Sequence, residues 1–290
     1  MKLFTFSGIS SSLAGVNAGL GVIELGHHVV NAMAPEHAVA YAGVDDVDHF
    51  RSYVNFAAMI SQLDDLVRLS GSTALNNEAR ELSPQYARAM TEAMIANPDS
   101  EVIILAHSQG TNNLVWTLIH LARNTPEFFE NRSVRCALFD PKVGGNYMLE
   151  VFGRFSEEQL AFLFFQSQND ILGNQGMFIR KFINEFEHGN HIWVKGTDHG
   201  SIRDWNILNR KQYWLELSGY REFQRAYSQQ IIRLKQETRG GQLGTMQLIK
   251  LDRWINQYAK DEMNSDKLTE ALLGFLAGKL PAKFKSRSES

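Results

Sequence analysis

The chain has 290 residues, 44% of them hydrophobic, and 29 Lys plus Arg stand against 32 Asp plus Glu for a net charge of −3. That length and apolar content suffice for one large α/β domain or two small ones around a sizeable core. A near-neutral balance gives no electrostatic case for gripping a nucleic-acid backbone, and a single cysteine, Cys136, excludes an internal disulfide.

In chain order, the opening MKLFTFSGISSSLAGVNA carries one lysine and small residues ahead of Ala18, as a signal peptide would. Ser7 and Gly8 interrupt its short apolar run, so it reads as a first strand, Lys2 to Ser7. A second strand is expected from Ala38 to Ala42. The acidic run DDVDH that follows, Asp45 to His49, reads better as a solvated helix start than as a contact for a cation or polar substrate. A helix is predicted next, with Ser83 as N-cap, Pro84 at the first helical position and Asn97-Pro98 as its stop.

Further strands are expected over Glu101 to Leu105, Val134 to Phe139, Ala161 to Gln166 and His191 to Lys195, with Cys136 as a small core residue in the second of these. Ser156 with Gln159 has the spacing of a capping box, though only one turn fits before the next strand. Short apolar runs alternating with helical patterns predict a mostly parallel sheet of about six strands with helices on both faces. After about Asp204 the strands are expected to cease. Helical, charged runs follow around Tyr213 to Glu237 and Gln247 to Lys260, broken by Gly240-Gly241. The chain therefore divides into a core over residues 1 to 204 and a helical region over 205 to 290 that packs on the core or caps it.

The stretch LAHSQGT, residues 105 to 111, stands where a buried strand hands over to a helix. A turn that tight has room only for small residues two positions either side of its apex, and Ala106 and Gly110 occupy those positions around Ser108. The pattern is a G-x-S-x-G nucleophile elbow with alanine at the first small position, and it presents a serine hydroxyl at the top of the sheet. The competing reading is a serine that merely caps the following helix.

A serine needs a base, and the base needs a third group to hold its tautomer. In a parallel sheet all three come from loops at the carboxyl ends of strands. Such loops occur in the order Ser108, Asp170 in QND, and His199 in TDHGS. Asp140 in LFDPK also ends a strand and is the alternative acid. Pro141 directly after it suggests a local turn, and Asp170 follows the strand immediately before that of His199, so Asp170 is preferred. His107 is expected to pack rather than to act as base.

With these residues in hand, the chain resembles the α/β-hydrolase superfamily, and its AHSQG elbow resembles that of small bacterial lipases lacking the first two strands of the full sheet. The resemblance spans residues 1 to 204, on LAHSQG, QNDIL, TDHGS and the opening loop FTFSGIS. It implies a three-layer α/β-hydrolase fold and a serine hydrolase of lipase, phospholipase or esterase type, working without metal or cofactor. Ser108 is then the nucleophile, His199 the base and Asp170 its orienting acid. The backbone amides of Ile9 and Gln109 form the oxyanion hole, with Gly8 and Ser10 beside the substrate. The family often has His-Gly where this chain has Ser7-Gly8, and Ser10 could add or replace a donor.

The apolar Phe152, Phe155 and Phe178 near these loops favour a lipid-like ester. A thioesterase or peptidase on the same fold, and a non-catalytic binding protein with the same architecture, are the alternatives. His188 and His191 have spacing suited to a metal, yet no carboxylate or thiol accompanies them. The stripe in LTEALLGFLAGKL could lie on a membrane, but a helix docked on the core accounts for it better. No apolar run is long enough to span a bilayer, so a cytoplasmic protein is expected, with export only by a route that ignores the N-terminus.

Overall fold

The computed structural model describes residues 1–9, 21–34, 49–52, 73–95, 98, 100–130, 132–141, 151, 154–156, 158–167, 190–194, 196–210, 214–216, 220–238, 243–258, 263–264 and 267–279. It is an α/β structure built on one sheet. The strands are β1 (Lys2–Ile9), β2 (His49–Ser52), β3 (Val102–His107), β4 (Val134–Phe139), β5 (Leu160–Ser167), β6 (Asn190–Val194), β7 (Trp214–Glu216) and β8 (Met263–Asn264), in the order β2-β1-β3-β4-β5-β6-β7-β8. The pairs from β2 across to β6 are parallel, and β7 and β8 are antiparallel. The helices are α1 (Gly21–Met33), α2 (Thr73–Ile95), α3 (Gln109–Asn124), α4 (Tyr220–Glu237), α5 (Thr245–Tyr258) and α6 (Leu268–Leu276), with a one-turn helix at Trp205–Leu208.

Successive strand residues point to opposite faces, and here both faces are apolar, as a parallel sheet covered by helices requires. Val102, Ile104 and Ala106 of β3, Cys136 and Leu138 of β4 and Phe162 and Phe164 of β5 face one core with Met90 of α2, Leu114 and Leu118 of α3, Leu234 of α4 and Leu251 of α5. Ile103, Leu105, Ala137, Phe139, Leu163 and Phe165 face the other, with Val22, Leu25 and Val29 of α1 and Leu272 and Phe275 of α6. Burial pushes the Cys136 thiol well up, which suits an inert core side chain.

Several expectations are corrected. Strands do not cease after Asp204, because β7 and β8 extend the sheet. At three and two residues they are too short to print a periodicity. The C-terminal stripe, by contrast, docks on the core as expected: it belongs to α6, whose Leu268, Leu272, Phe275 and Leu276 are buried in the second core. No described helix is long and apolar enough to cross a bilayer. The stretches Ala38 to Ala42, Asp45 to Asp48 and Gly176 to Glu187 lie outside the described residues, as do His188, Phe152 and Phe178; His191 lies in β6. Phe155 packs on the first core, its ring 4.1 Å from that of Phe129, and so does not face the loops. Ser156 and Gln159 do bond each other, the Ser156 amide donating to Gln159 Oε1 at 3.2 Å, but they close a turn into β5 and start no helix.

The helix placed after Ser83 begins ten residues earlier, at Thr73, with Pro84 inside it. Proline lacks the N–H that would bond the carbonyl four residues back, here that of Arg80. The buried Ser83 hydroxyl donates to that same carbonyl at 2.8 Å. Ser83 thus fills the gap that Pro84 leaves, and the pair that reads as a helix start is a repair within one. Ser83→Ala is expected to lower the unfolding free energy by about 1 kcal/mol in a urea titration. In a Pro84→Ala background, where residue 84 has its own N–H, the loss should shrink to a few tenths; equal losses in both backgrounds would contradict the repair.

On the same helix Glu78 is half-buried, its Oε1 has no hydrogen-bond partner among the described residues, and burial, followed by the charge of Glu81, pushes its carboxyl up to about 7. A folded-state value above the ordinary one means that its contribution is complete below pH 4.5 and is lost as pH rises through about 7. Glu78→Gln, which cannot ionise, is expected to raise Tm at about pH 8 and leave it unchanged at about pH 4. Thermal melts at the two pH values check this, and a uniform shift would point to packing instead.

Candidate active site

The sheet order reverses direction between β1 and β3, and the carboxyl ends of strands at such a point border a natural crevice. β3 ends there in Ala106 and His107, and Ser108 follows. Ser108 has φ 54° and ψ −127°, and with Asp140 (φ 44°) it is one of two non-glycine residues with positive φ among those described. A side chain in such a region costs roughly 1–3 kcal/mol and persists only where its surroundings hold it. Here the Ser108 amide donates to the Phe139 carbonyl at 3.0 Å, and its own carbonyl accepts from the Thr111 hydroxyl at 2.6 Å and amide at 3.0 Å. Although Ser108 precedes α3, its hydroxyl makes no capping bond to the helix. It lies 2.8 Å from Nε2 of His199.

His199 is carried by the loop after β6, which is fastened residue by residue. The buried Thr197 hydroxyl donates to the Val194 carbonyl at 3.0 Å. Asp198 Oδ1 accepts from the Ser201 amide at 2.8 Å and the Gly200 amide at 3.0 Å, while its own amide donates to Ser201 Oγ at 2.9 Å. The bonds from Ser201 foremost hold the Asp198 carboxyl below its ordinary range. Asp198 is thereby spent on shaping the turn into a short 3-10 helix, Ser201–Arg203, whose Ile202 is buried in the second core.

The carboxylate beside His199 is that of Asp140. Its Oδ2 lies 3.6 Å from His199 Nδ1, within ion-pair range and longer than a hydrogen bond. The carboxylate is completely buried and is held by Ser167 at the end of β5, whose amide donates to Oδ1 at 2.7 Å and whose hydroxyl donates to Oδ2. Asp170, preferred from the sequence, lies outside the described residues. Its preference rested on chain order, whereas β4 is the strand next to β3 and the His199 loop reaches back across β5 and β4 to Ser108. The chain bends at Asp140, whose amide is bonded to the Phe165 carbonyl at 2.8 Å and whose carboxylate faces His199.

Gln109 is buried and opens α3, where amides aim out of the helix end. Gly8 and Ile9 end β1. With Phe6 paired to Ala106, β1 continues to the level of the first residues of α3, and Ile9 pairs on its other side with Ser52 of β2. Ser10 lies outside the described residues. No group of His, Cys, Asp and Glu suited to a metal occurs among the described residues.

His107 does more than the packing expected of it. The buried ring lies 4.7 Å from that of His199; its Nε2 is 2.7 Å from the His199 carbonyl and its Nδ1 3.0 Å from Nη1 of Arg203. The Ser167 clamp on Asp140 also went unread, since a serine at the end of an apolar strand carries no signal of its own. No protein-family model matches this chain, and no curated protein sequence matches it significantly.

The strain at Ser108 has a measurable consequence. Glycine adopts φ 54° without the clash a Cβ suffers, so Ser108→Gly is expected to be about 1 kcal/mol more stable than Ser108→Ala, both lacking the hydroxyl. Equal denaturation midpoints for the two variants would mean that the turn stores no strain.

Proposed function

We propose that the chain is a serine hydrolase of the α/β-hydrolase type that cleaves a carboxylic ester through an acyl-enzyme. The observation that carries this reading is the 2.8 Å approach of His199 Nε2 to a Ser108 hydroxyl that sits on a strained strand-to-helix turn and leaves the helix uncapped. Strain retained in the main chain at a serine beside an imidazole is the arrangement a nucleophile elbow requires.

In this reading His199 Nε2 takes the hydroxyl proton as Ser108 Oγ bonds to the ester carbonyl carbon, and then gives that proton to the departing alkoxide. Nε2 can accept only if the ring's proton resides on Nδ1, the nitrogen facing Asp140. The acid is therefore Asp140, whose fixed negative charge favours that tautomer and the imidazolium formed in the transition state. The arrangement of Ser108, Asp140 and His199 after β3, β4 and β6 supports a triad drawn from three strand ends. The amides of Gln109 and Ile9 are proposed to receive the oxyanion, a role worth several kcal/mol of barrier. An ester follows from the reactivity of such a serine; the lipase or phospholipase subclass rests on the resemblance of the elbow.

A fluorophosphonate probe tests the nucleophile. Ser108→Ala is expected to lose all labelling and at least about a thousandfold of hydrolysis of a small soluble ester, with folding retained. Asp140→Asn is expected to lower kcat by about a hundredfold or more with little change in KM, and Asp170→Asn to stay near the parent. Labelling at another serine in Ser108→Ala sinks the nucleophile, and a crippled Asp170→Asn beside an active Asp140→Asn returns the acid to the later loop.

A further inference from the structure

The two contacts of His107 fix its chemistry. A carbonyl oxygen can only accept a hydrogen bond and a guanidinium can only donate one. With Nε2 against the His199 carbonyl at 2.7 Å and Nδ1 against Arg203 Nη1 at 3.0 Å, the ring must carry its proton on Nε2 and offer a lone pair at Nδ1. His107 stands two positions beyond Leu105 on the face of β3 that looks toward α1 and the second core. Arg203 is pressed against the first residue of α1, since a Cβ added at Gly21 would come within 2.6 Å of its Nε. Burial pulls the Arg203 guanidinium below its ordinary range.

We propose that Arg203 and His107 are a positioning pair for the base: Arg203 locks the His107 ring in its Nε2–H form, and that N–H holds the His199 main chain so that the His199 ring stays on Ser108. The proposal rests on the hydrolase reading for its effect on rate, while the lock itself is a property of the resting chain. A second proton on His107 would break the bond from Arg203 and set two buried cations side by side. His107 therefore stays neutral while His199 titrates.

Among the described residues, charged and titratable groups about the pair include Arg203 on the 3-10 helix, His199 on its loop, and Asp140 on the far side of His199. Asp198 is turned into its own loop, and on α1 Glu24 is exposed and His28 stacks on Trp205. Among these, Arg203 is the group that bears directly on Nδ1.

Two measurements on the full chain test the pair. In the first, ¹⁵N-histidine NMR of the resting protein is expected to show His107 as the Nε2–H form, unchanged between about pH 5 and 8. A His107 ring that gains a proton in that range, or that carries it on Nδ1, overturns the lock. The second uses the pH profile of kcat/KM on a soluble ester. The parent is expected to lose activity toward acid with a logarithmic slope of about one, for His199 alone. Arg203→Met leaves the ring free to take the Nδ1–H form, so plateau kcat should fall about tenfold with KM little changed, while the slope stays near one because a doubly protonated His107 keeps its Nε2–H.

Gln at position 107 supplies an N–H near that of Nε2 and does not titrate. His107→Gln should therefore stay within about threefold of the parent, and His107→Gln in the Arg203→Met background should restore plateau kcat to within about threefold of it. His107→Leu, folded by thermal melt, should lose about a hundredfold in kcat. A folded His107→Leu with parental kcat, or an Arg203→Met variant with parental plateau kcat, refutes the positioning role. The ring titration is read without substrate, so it decides the lock even where no ester is turned over. A locked His107 in a chain that hydrolyses nothing would overturn the hydrolase reading alone.

Discussion

The main-chain reversal at Ser108 is the constraint around which the rest is arranged. A serine at φ 54° and ψ −127° is held there against a cost of roughly 1–3 kcal/mol, and local sequence cannot supply that holding force. It comes from β3, whose six residues are all buried and run in unbroken register with β4 up to the His107–Phe139 pair. The next amide, that of Ser108, continues the ladder onto the Phe139 carbonyl, and Thr111 then fastens the Ser108 carbonyl from the first turn of α3. With strand and helix both pinned by their cores, the one residue between them takes the whole reversal. Its hydroxyl is left at the sheet edge while its backbone is buried.

What could be read from the sequence follows from how local each feature is. The elbow was legible because its requirements, small residues at 106 and 110 and an apolar strand before it, lie within seven positions. His199 was legible because it follows a strand of recognisable composition. The approach of Asp140 to His199 was not, because it depends on β4 lying beside β3 and on a loop crossing β5, and neither distance appears in chain spacing. Pro141 even pointed the other way: it suggests a local turn, whereas the chain bends at Asp140, with φ 44°, and the carboxylate faces His199. Ser83-Pro84 misled in a related manner. A serine followed by proline suits a helix start and also suits a helix interior in which the hydroxyl stands in for the missing N–H. Only the tertiary packing of the preceding turns decides between them.

The C-terminal segment illustrates a different limit. Its charged composition separated it from the strand-rich part, yet the sheet continues into it through β7 and β8, and α6 returns to cover the face shared by α1. Three features tie this return to the site. Leu208, in the turn after the histidine loop, is buried in the same core as Leu272 and Phe275; Asn209 Oδ1 accepts from the Thr269 hydroxyl of α6 at 3.2 Å; and Trp205 stacks on His28 of α1. The helix after residue 267 therefore packs on the turn that follows the His199 loop. A composition boundary near 204 marks a change in surface character, and the core crosses it.

Seen from the base, the same strand end acts twice. His107 and Ser108 are consecutive, and between them they grip His199 at two points: the His107 ring takes the main-chain carbonyl at 2.7 Å and the Ser108 hydroxyl meets the side chain at 2.8 Å. Displacements near 1 Å between reacting groups can cost about a hundredfold in rate, so in the proposed reaction the quantity to protect is the relative position of Ser108 and His199 rather than either one's place in the molecule. Anchoring both through one dipeptide does this. A small shift of β3 against its neighbours carries Ser108 and His107 together, and His199 with them, so the 2.8 Å contact is insulated from movements of the sheet. Asp140 follows β4 and does not share that anchoring, but in the proposed reaction it acts through charge, and a charge interaction decays only as the inverse of distance. The contact that tolerates least displacement is built from adjacent residues, and the one that tolerates most is taken from the neighbouring strand.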